Sequence, residues 1–174
     1  MGIKTLSHSI AAAIKEANPE QTHSVEVMAY SLTIILNTMF IIAVSLVIGA
    51  LTGNFIATLL AIISLLIIRF VSGGPHINSV WGCNIVSILI CTVVPHIPMF
   101  LPLLVVNIVS LVIMLVFSPQ PDKNAKMPTG LYPYLKILSV ILVFFNFFIQ
   151  SDVIGLIFLI QAIIIIPWRK EGRA

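Results

Sequence analysis

A histidine and a cysteine stand seven positions apart in the stretch Arg69-Phe70-Val71-Ser72-Gly73-Gly74-Pro75-His76-Ile77-Asn78-Ser79-Val80-Trp81-Gly82-Cys83. These residue types can make a thiol nucleophile and its base. The thiolate is the attacking species, and a free thiol with a pKa of about 8.5 is activated by a neighbouring histidine or by a helix N-terminus. On one continuous helix His76 and Cys83 would share a face but stand about 10.5 Å apart along the axis, beyond hydrogen-bond reach. A direct pair at about 3 to 4 Å requires the His76 segment to fold back over the start of the next helix. Gly73 and Gly74 permit backbone conformations closed to other residues, and Pro75 stops a helix from running through, so the stretch contains the hinge this needs. The competing reading is a buried structural cysteine beside a polar-loop histidine, since free cysteine is often simply buried.

Other chemistries fit less well. Zinc needs about three or four protein ligands, whereas Cys83 and Cys91 are about two helical turns apart and His96 lies near the opposite membrane face. No metal and no cofactor is expected. The same spacing, about 12 Å along a helix, prevents Cys83 and Cys91 from pairing within one helix. Cys91 reads as a packing residue, and His8, His23 and His96 as interfacial residues. Asn37, Asn107, Asn146 and Gln161 lie within apolar runs and read as interhelical hydrogen-bond partners, with polarity along a substrate path the lesser alternative.

The elements that must position the motif are set by composition. The 174 residues are 59% hydrophobic and 9% charged, with a mean hydropathy of +1.14, against roughly 25% charged in soluble domains. So few charges cannot cover a water-soluble surface. Apolar runs reach or approach the roughly 20 residues with which a helix crosses a hydrocarbon core of about 30 Å. The net charge of +3 is nine basic against six acidic residues, and the basic residues are scattered among apolar spans with no contiguous stripe for nucleic acid. The first fifteen residues lack the continuous apolar stretch of a secretory signal, and Leu6 stands where a myristoylation start needs Ser or Thr.

The expected fold is therefore all-α: a polytopic membrane protein with about six transmembrane helices and an N-terminal amphipathic interfacial helix. In residues 1–17, Ile3, Leu6, Ile10, Ala13, Ile14 and Ala17 recur at steps of three and four, with Lys4, Ser7, His8 and Lys15 largely off that stripe. Asn18 and Pro19 read as the N-cap and first position of a following helix. The expected spans are Met28 to Ala50, Asn54 to Phe70, Val80 to Val94, Phe100 to Phe117, Leu131 to Gln150 and Asp152 to Trp168. The third is short, and Pro95, Pro98 and Pro102 leave open a kink, a continuation to Met99 or a re-entrant segment. Gly49 and Gly53 form a nominal GxxxG, better read as a tight turn. The longest polar stretch, Ser118 to Gly130, does not separate domains. The whole chain, 1–174, is expected to be one domain, with its membrane bundle over 28–168.

Basic residues give this layout a direction, because Lys and Arg concentrate in short cytoplasmic loops. Lys4 and Lys15 precede the first span and Arg69 lies between the second and third; Lys123, Lys126 and Lys136 lie at the fourth connection, and Arg169, Lys170 and Arg173 end the chain. All nine fall on one side of a six-span scheme, while the alternate connections hold none. Both termini and the His76 loop are thus expected on the cytoplasmic face of the cell membrane.

With its arginine, glycines, histidine, six intervening residues and cysteine, the motif resembles the signature of the accessory gene regulator B family, membrane cysteine peptidases of quorum sensing. Arg69, Gly73, Gly74, His76 and Cys83 carry the match, and Ser118 to Pro128 looks like the family's polar loop. The resemblance covers nearly the whole chain.

It implies an endopeptidase that removes the C-terminal tail of a small precursor peptide. The remaining peptide is retained as a thioester until an internal residue closes a thiolactone or lactone. By position Cys83 is then the nucleophile and His76 the general base, with Arg69, Gly73 and Gly74 in support. Lys123, Lys126 and Lys136 would attract an acidic tail, alongside their role in topology. A homodimer is implied as well. The alternative from another class is a small peptide transporter or membrane adaptor. An adaptor has no need of the hinged His76 and Cys83, and a transporter needs more intramembrane polar groups than this chain offers.

Overall fold

The computed structural model describes residues 2–74, 80–120 and 129–167. Seven α-helices run through them: α1 Ile3–Ala17, α2 Val25–Leu51, α3 Phe55–Ser72, α4 Val80–Val93, α5 Leu103–Phe117, α6 Tyr132–Ile149 and α7 Asp152–Ile165. Short 3-10 turns occupy Val94–His96 and Thr129–Leu131. The six apolar segments expected from the sequence thus appear as α2 to α7. By length and composition α2, α3 and α6 are sufficient to cross a membrane, while α4, α5 and α7 are apolar but shorter. The 14 residues of α4 reach about 21 Å. The helix stops before Pro95, whose ring and missing N–H end the regular ladder.

The chain divides into two compact units, Met1–Val44 and Ser45–Ala174. In the first, α1 has the bounds its periodicity predicts, but its buried residues are the small Ser7 and Ala11, while Leu6 and Ile14 are exposed. Ser7 folds its hydroxyl onto the Ile3 carbonyl at 2.9 Å, which removes its polar cost. The helix start expected at Asn18 and Pro19 is not formed. Instead Asn18 closes α1 by donating its amide to the Ile14 carbonyl. Residues 19–22 then turn around Lys15, whose ammonium donates to the carbonyls of Pro19 at 2.6 Å and Thr22 at 2.9 Å. These charge-assisted bonds hold the turn, and α2 begins one turn later, behind Ser24, whose hydroxyl accepts from the Val27 amide at 3.4 Å.

In the second unit α3, α5, α6 and α7 pack on one another, and α4 lies against α3. The core is apolar, with Ala61, Ile62, Leu65 and Ile68 of α3, Val106 and Met114 of α5, Val143 of α6, and Ile157, Phe158 and Ala162 of α7. Outward faces are equally apolar: Ile56, Phe70, Leu104, Phe148 and Ile149 are all exposed. In water each would forgo about 1.5–3 kcal/mol of burial, a loss that lipid removes.

Gly53 takes φ +74°, as the α2–α3 turn requires. Gly49 corrects the sequence reading, because it lies inside α2 and not in the turn. A Cβ there would stand 2.6 Å from the Thr58 hydroxyl and 2.7 Å from its Cβ, so the glycine lets the end of α2 and the start of α3 approach closely.

Buried amides hold one end of this unit. Asn146 donates to the Asn107 side chain at 2.9 Å and bonds both main-chain groups of Ser151, at 3.1 and 3.2 Å. That closes the α6–α7 turn, where Gln150 takes a left-handed conformation. Asn54, just ahead of α3, lies 3.2 Å from His96 Nδ1, so the 51–54 and 94–102 connections meet at their own shared end.

Candidate functional site

The motif begins in the last turn of α3. Arg69 is half-buried there, and its carbonyl accepts the Gly73 amide at 3.0 Å, which caps the helix. Gly73 then turns the chain with φ +70° and ψ −144°, a conformation that costs other residues steric strain. A Cβ on Gly73 would overlap the main-chain carbonyl of Gln120. Gly74 follows with φ +133°. Both glycines of the motif are thus required by the backbone they form.

This strip is pinned on two sides. The Gly74 amide donates to the Gln120 carbonyl and the Gln120 amide to the Ser72 carbonyl, each at 2.9 Å, a single parallel bridge between the motif and the start of the polar loop. From α7, Gln161 donates through Nε2 to the Ser72 hydroxyl at 3.0 Å and to the Gly73 carbonyl at 2.7 Å. Beside the bridge, the Ser118 and Ser139 hydroxyls pair at 2.8 Å, and Ser139 also donates to the Lys136 carbonyl at 2.8 Å. The end of α3, the end of α5, the first turns of α6 and the last turns of α7 therefore converge, and Arg69 and Lys136 fall at this end.

Cys83 is half-buried in the first turn of α4, on the chain that leaves the motif. Oriented amide groups of a helix N-terminus favour negative charge in this position. Cys91, two turns on, is buried. His76 lies outside the described residues, as do Lys123 and Lys126. Among the described residues no three His, Cys, Asp or Glu side chains converge as a metal site would require.

Sequence reasoning identified Gln161 as an interhelical hydrogen-bonding residue but not the groups it bonds. Ser72, and Ser118 and Gln120 of the polar loop, were given no partner in this bridge, and Ser139 was missed altogether. An amide in the apolar run of α7 was the one available signal.

A family model described as Accessory gene regulator B matches residues 7–168, nearly the entire chain. The chain belongs to the accessory gene regulator B family. A putative AgrB-like protein of Halalkalibacterium halodurans is 32% identical over 96 residues, covering 55% of this chain and 49% of that protein. The chain thus spans about half the length of that relative. Accessory gene regulator protein B of Staphylococcus aureus strain N315 is 28% identical over 148 residues, covering 77% of this chain and 78% of that one. No solved structure matches.

Proposed function

We propose that the protein is a membrane-embedded cysteine endopeptidase that processes a quorum-sensing precursor peptide. Membership of the accessory gene regulator B family over residues 7–168 carries this reading, because the matched region includes both His76 and Cys83. In the proposed reaction His76 accepts the thiol proton as Cys83 Sγ attacks the scissile carbonyl. The C–N bond breaks, the proton passes to the leaving amine, and the C-terminal tail departs. The N-terminal portion remains as a thioester on Cys83. An internal thiol or hydroxyl of the peptide then attacks that thioester, returns the thiol to Cys83 and closes a thiolactone or lactone.

The proposed orientation places both termini and the motif on the cytoplasmic face, where a newly made precursor arrives. Arg69, Lys123, Lys126 and Lys136 would attract an acidic tail to this face, an effect that salt weakens. The protein is proposed to act as a homodimer, which cross-linking in lipid at several protein-to-lipid ratios tests; monomer at every ratio would count against it.

Processing of precursor by purified variants in lipid tests the chemistry. Cys83→Ala is expected to insert normally and to cleave nothing. His76→Ala is expected to be slowed severely, with a residue of activity from the small thiolate fraction at neutral pH. Cys91→Ala is expected to match the unaltered protein.

A further inference from the structure

We infer that Gln161 is a positioning residue for the catalytic segment, holding the Gly73–Gly74 main chain that leads into His76. This rests on the roles proposed for Cys83 and His76 and extends them to a residue of α7. Gln161 is fully buried, in a helix whose other buried residues include Ile157, Phe158, Ala162 and Ile165. An amide among apolar side chains is costly unless it is hydrogen-bonded. Both donor bonds of Gln161 go to one place, the Ser72 hydroxyl at 3.0 Å and the Gly73 carbonyl at 2.7 Å.

That choice of partners separates Gln161 from an ordinary interhelical amide. Asn107 and Asn146 join helix to helix through their side chains. Gln161 instead holds a main-chain carbonyl at a left-handed glycine, immediately past the end of α3. Its Nε2 stands 3.4 Å from where a Cβ of Gly74 would lie, so the amide packs directly beside the second glycine as well. Gln120 holds the residues on either side of Gly73, accepting from the Gly74 amide and donating to the Ser72 carbonyl. The strip is therefore clamped immediately before Pro75 and His76. Meanwhile Gln161 Oε1 is buried without a hydrogen-bond partner among the described residues. An amide kept in an apolar helix with one polar atom unsatisfied is a poor way to gain stability alone, and a role in placing the strip accounts for its presence.

Gln161→Met removes both donors at nearly constant volume. In a Cys91→Ala background in lipid, we expect kcat for precursor cleavage to fall about tenfold to hundredfold, the effect of leaving one buried carbonyl unpaired. KM should change by less than about twofold, because the contact does not touch the peptide. The pH midpoint for alkylation of Cys83 by iodoacetamide should move towards the value of about 8.5 of a free thiol. Gln161→Glu keeps the shape and serves if the methionine variant does not fold; its ionised form cannot donate to Gly73, so its activity relative to the unaltered protein at the same pH should rise as the pH is lowered and the carboxyl protonates. A variant with lowered thermal stability but an unchanged alkylation profile and kcat would overturn the inference, as would failure of both variants to fold. Cleavage by Cys83→Ala would instead sink the peptidase reading itself, whereas Cys83-dependent cleavage indifferent to Gln161 would sink only this extension.

Discussion

Gly73 and Gln120, far apart in the chain, lie side by side so closely that a methyl group on the glycine would overlap the Gln120 carbonyl. Gln120 opens the polar loop that carries Lys123 and Lys126. The residues proposed to meet the peptide tail therefore leave the same bridge as the residues that lead into His76.

Gly73→Ala meets both this overlap and a left-handed φ, and is expected to cost about 2 kcal/mol or more in stability. Precursor processing should fall at least tenfold even where folded protein is recovered. Gly53→Ala has the same sign of φ, +74°, but nothing within 4 Å of the added carbon. It should cost about 1 kcal/mol and leave processing intact. Thermal unfolding and processing of the two variants in lipid check the contrast; equal losses of activity would remove the special role of the Gln120 contact.

Asn146→Ala should destabilise the α6–α7 turn by about 1–3 kcal/mol, because it strands the Asn107 carbonyl oxygen and both main-chain groups of Ser151. Its effect should appear as a lower unfolding temperature, with kcat per folded molecule unchanged, since this node lies at the opposite end of α7 from Gln161. A selective loss of kcat at normal stability would contradict that separation.

The helices were legible because apolar length and 3.6-residue periodicity are local signals, and α3 and α6 appear within two residues or so of their expected bounds. The start at Asn18 and Pro19 was misread because Lys15 reaches forward to the carbonyls that follow, a local contact that cap statistics do not encode. Gly49 was misread because its reason is Thr58 on the next helix. The motif residues Gly73 and Gly74 were legible as a hinge, since glycine next to proline has a meaning at the level of one residue. Their partners were not. Ser72 and Gln161 stand 89 positions apart, and no periodicity links a serine at the end of α3 to an amide in α7.

Cysteine labelling from either side of the membrane checks the orientation. Single cysteines at Lys126 and at Glu171, in a protein without native cysteines, should react only from the cytoplasmic side. Cysteines at Gly53, Pro98 and Ser151 should react only from outside, because every Lys and Arg falls on the first set of connections. Labelling of position 126 from outside would break the six-span scheme.

The central claim is a covalent one, and the mass of the intact protein reads it directly. Protein in lipid, mixed with precursor and quenched with acid during turnover, should gain the mass of the N-terminal portion of the cleaved peptide. The added mass should map to Cys83, be released by hydroxylamine as a thioester is, appear in Cys91→Ala and vanish in Cys83→Ala. Cleavage that continues in folded Cys83→Ala protein, or an adduct that maps to Cys91, would contradict the account.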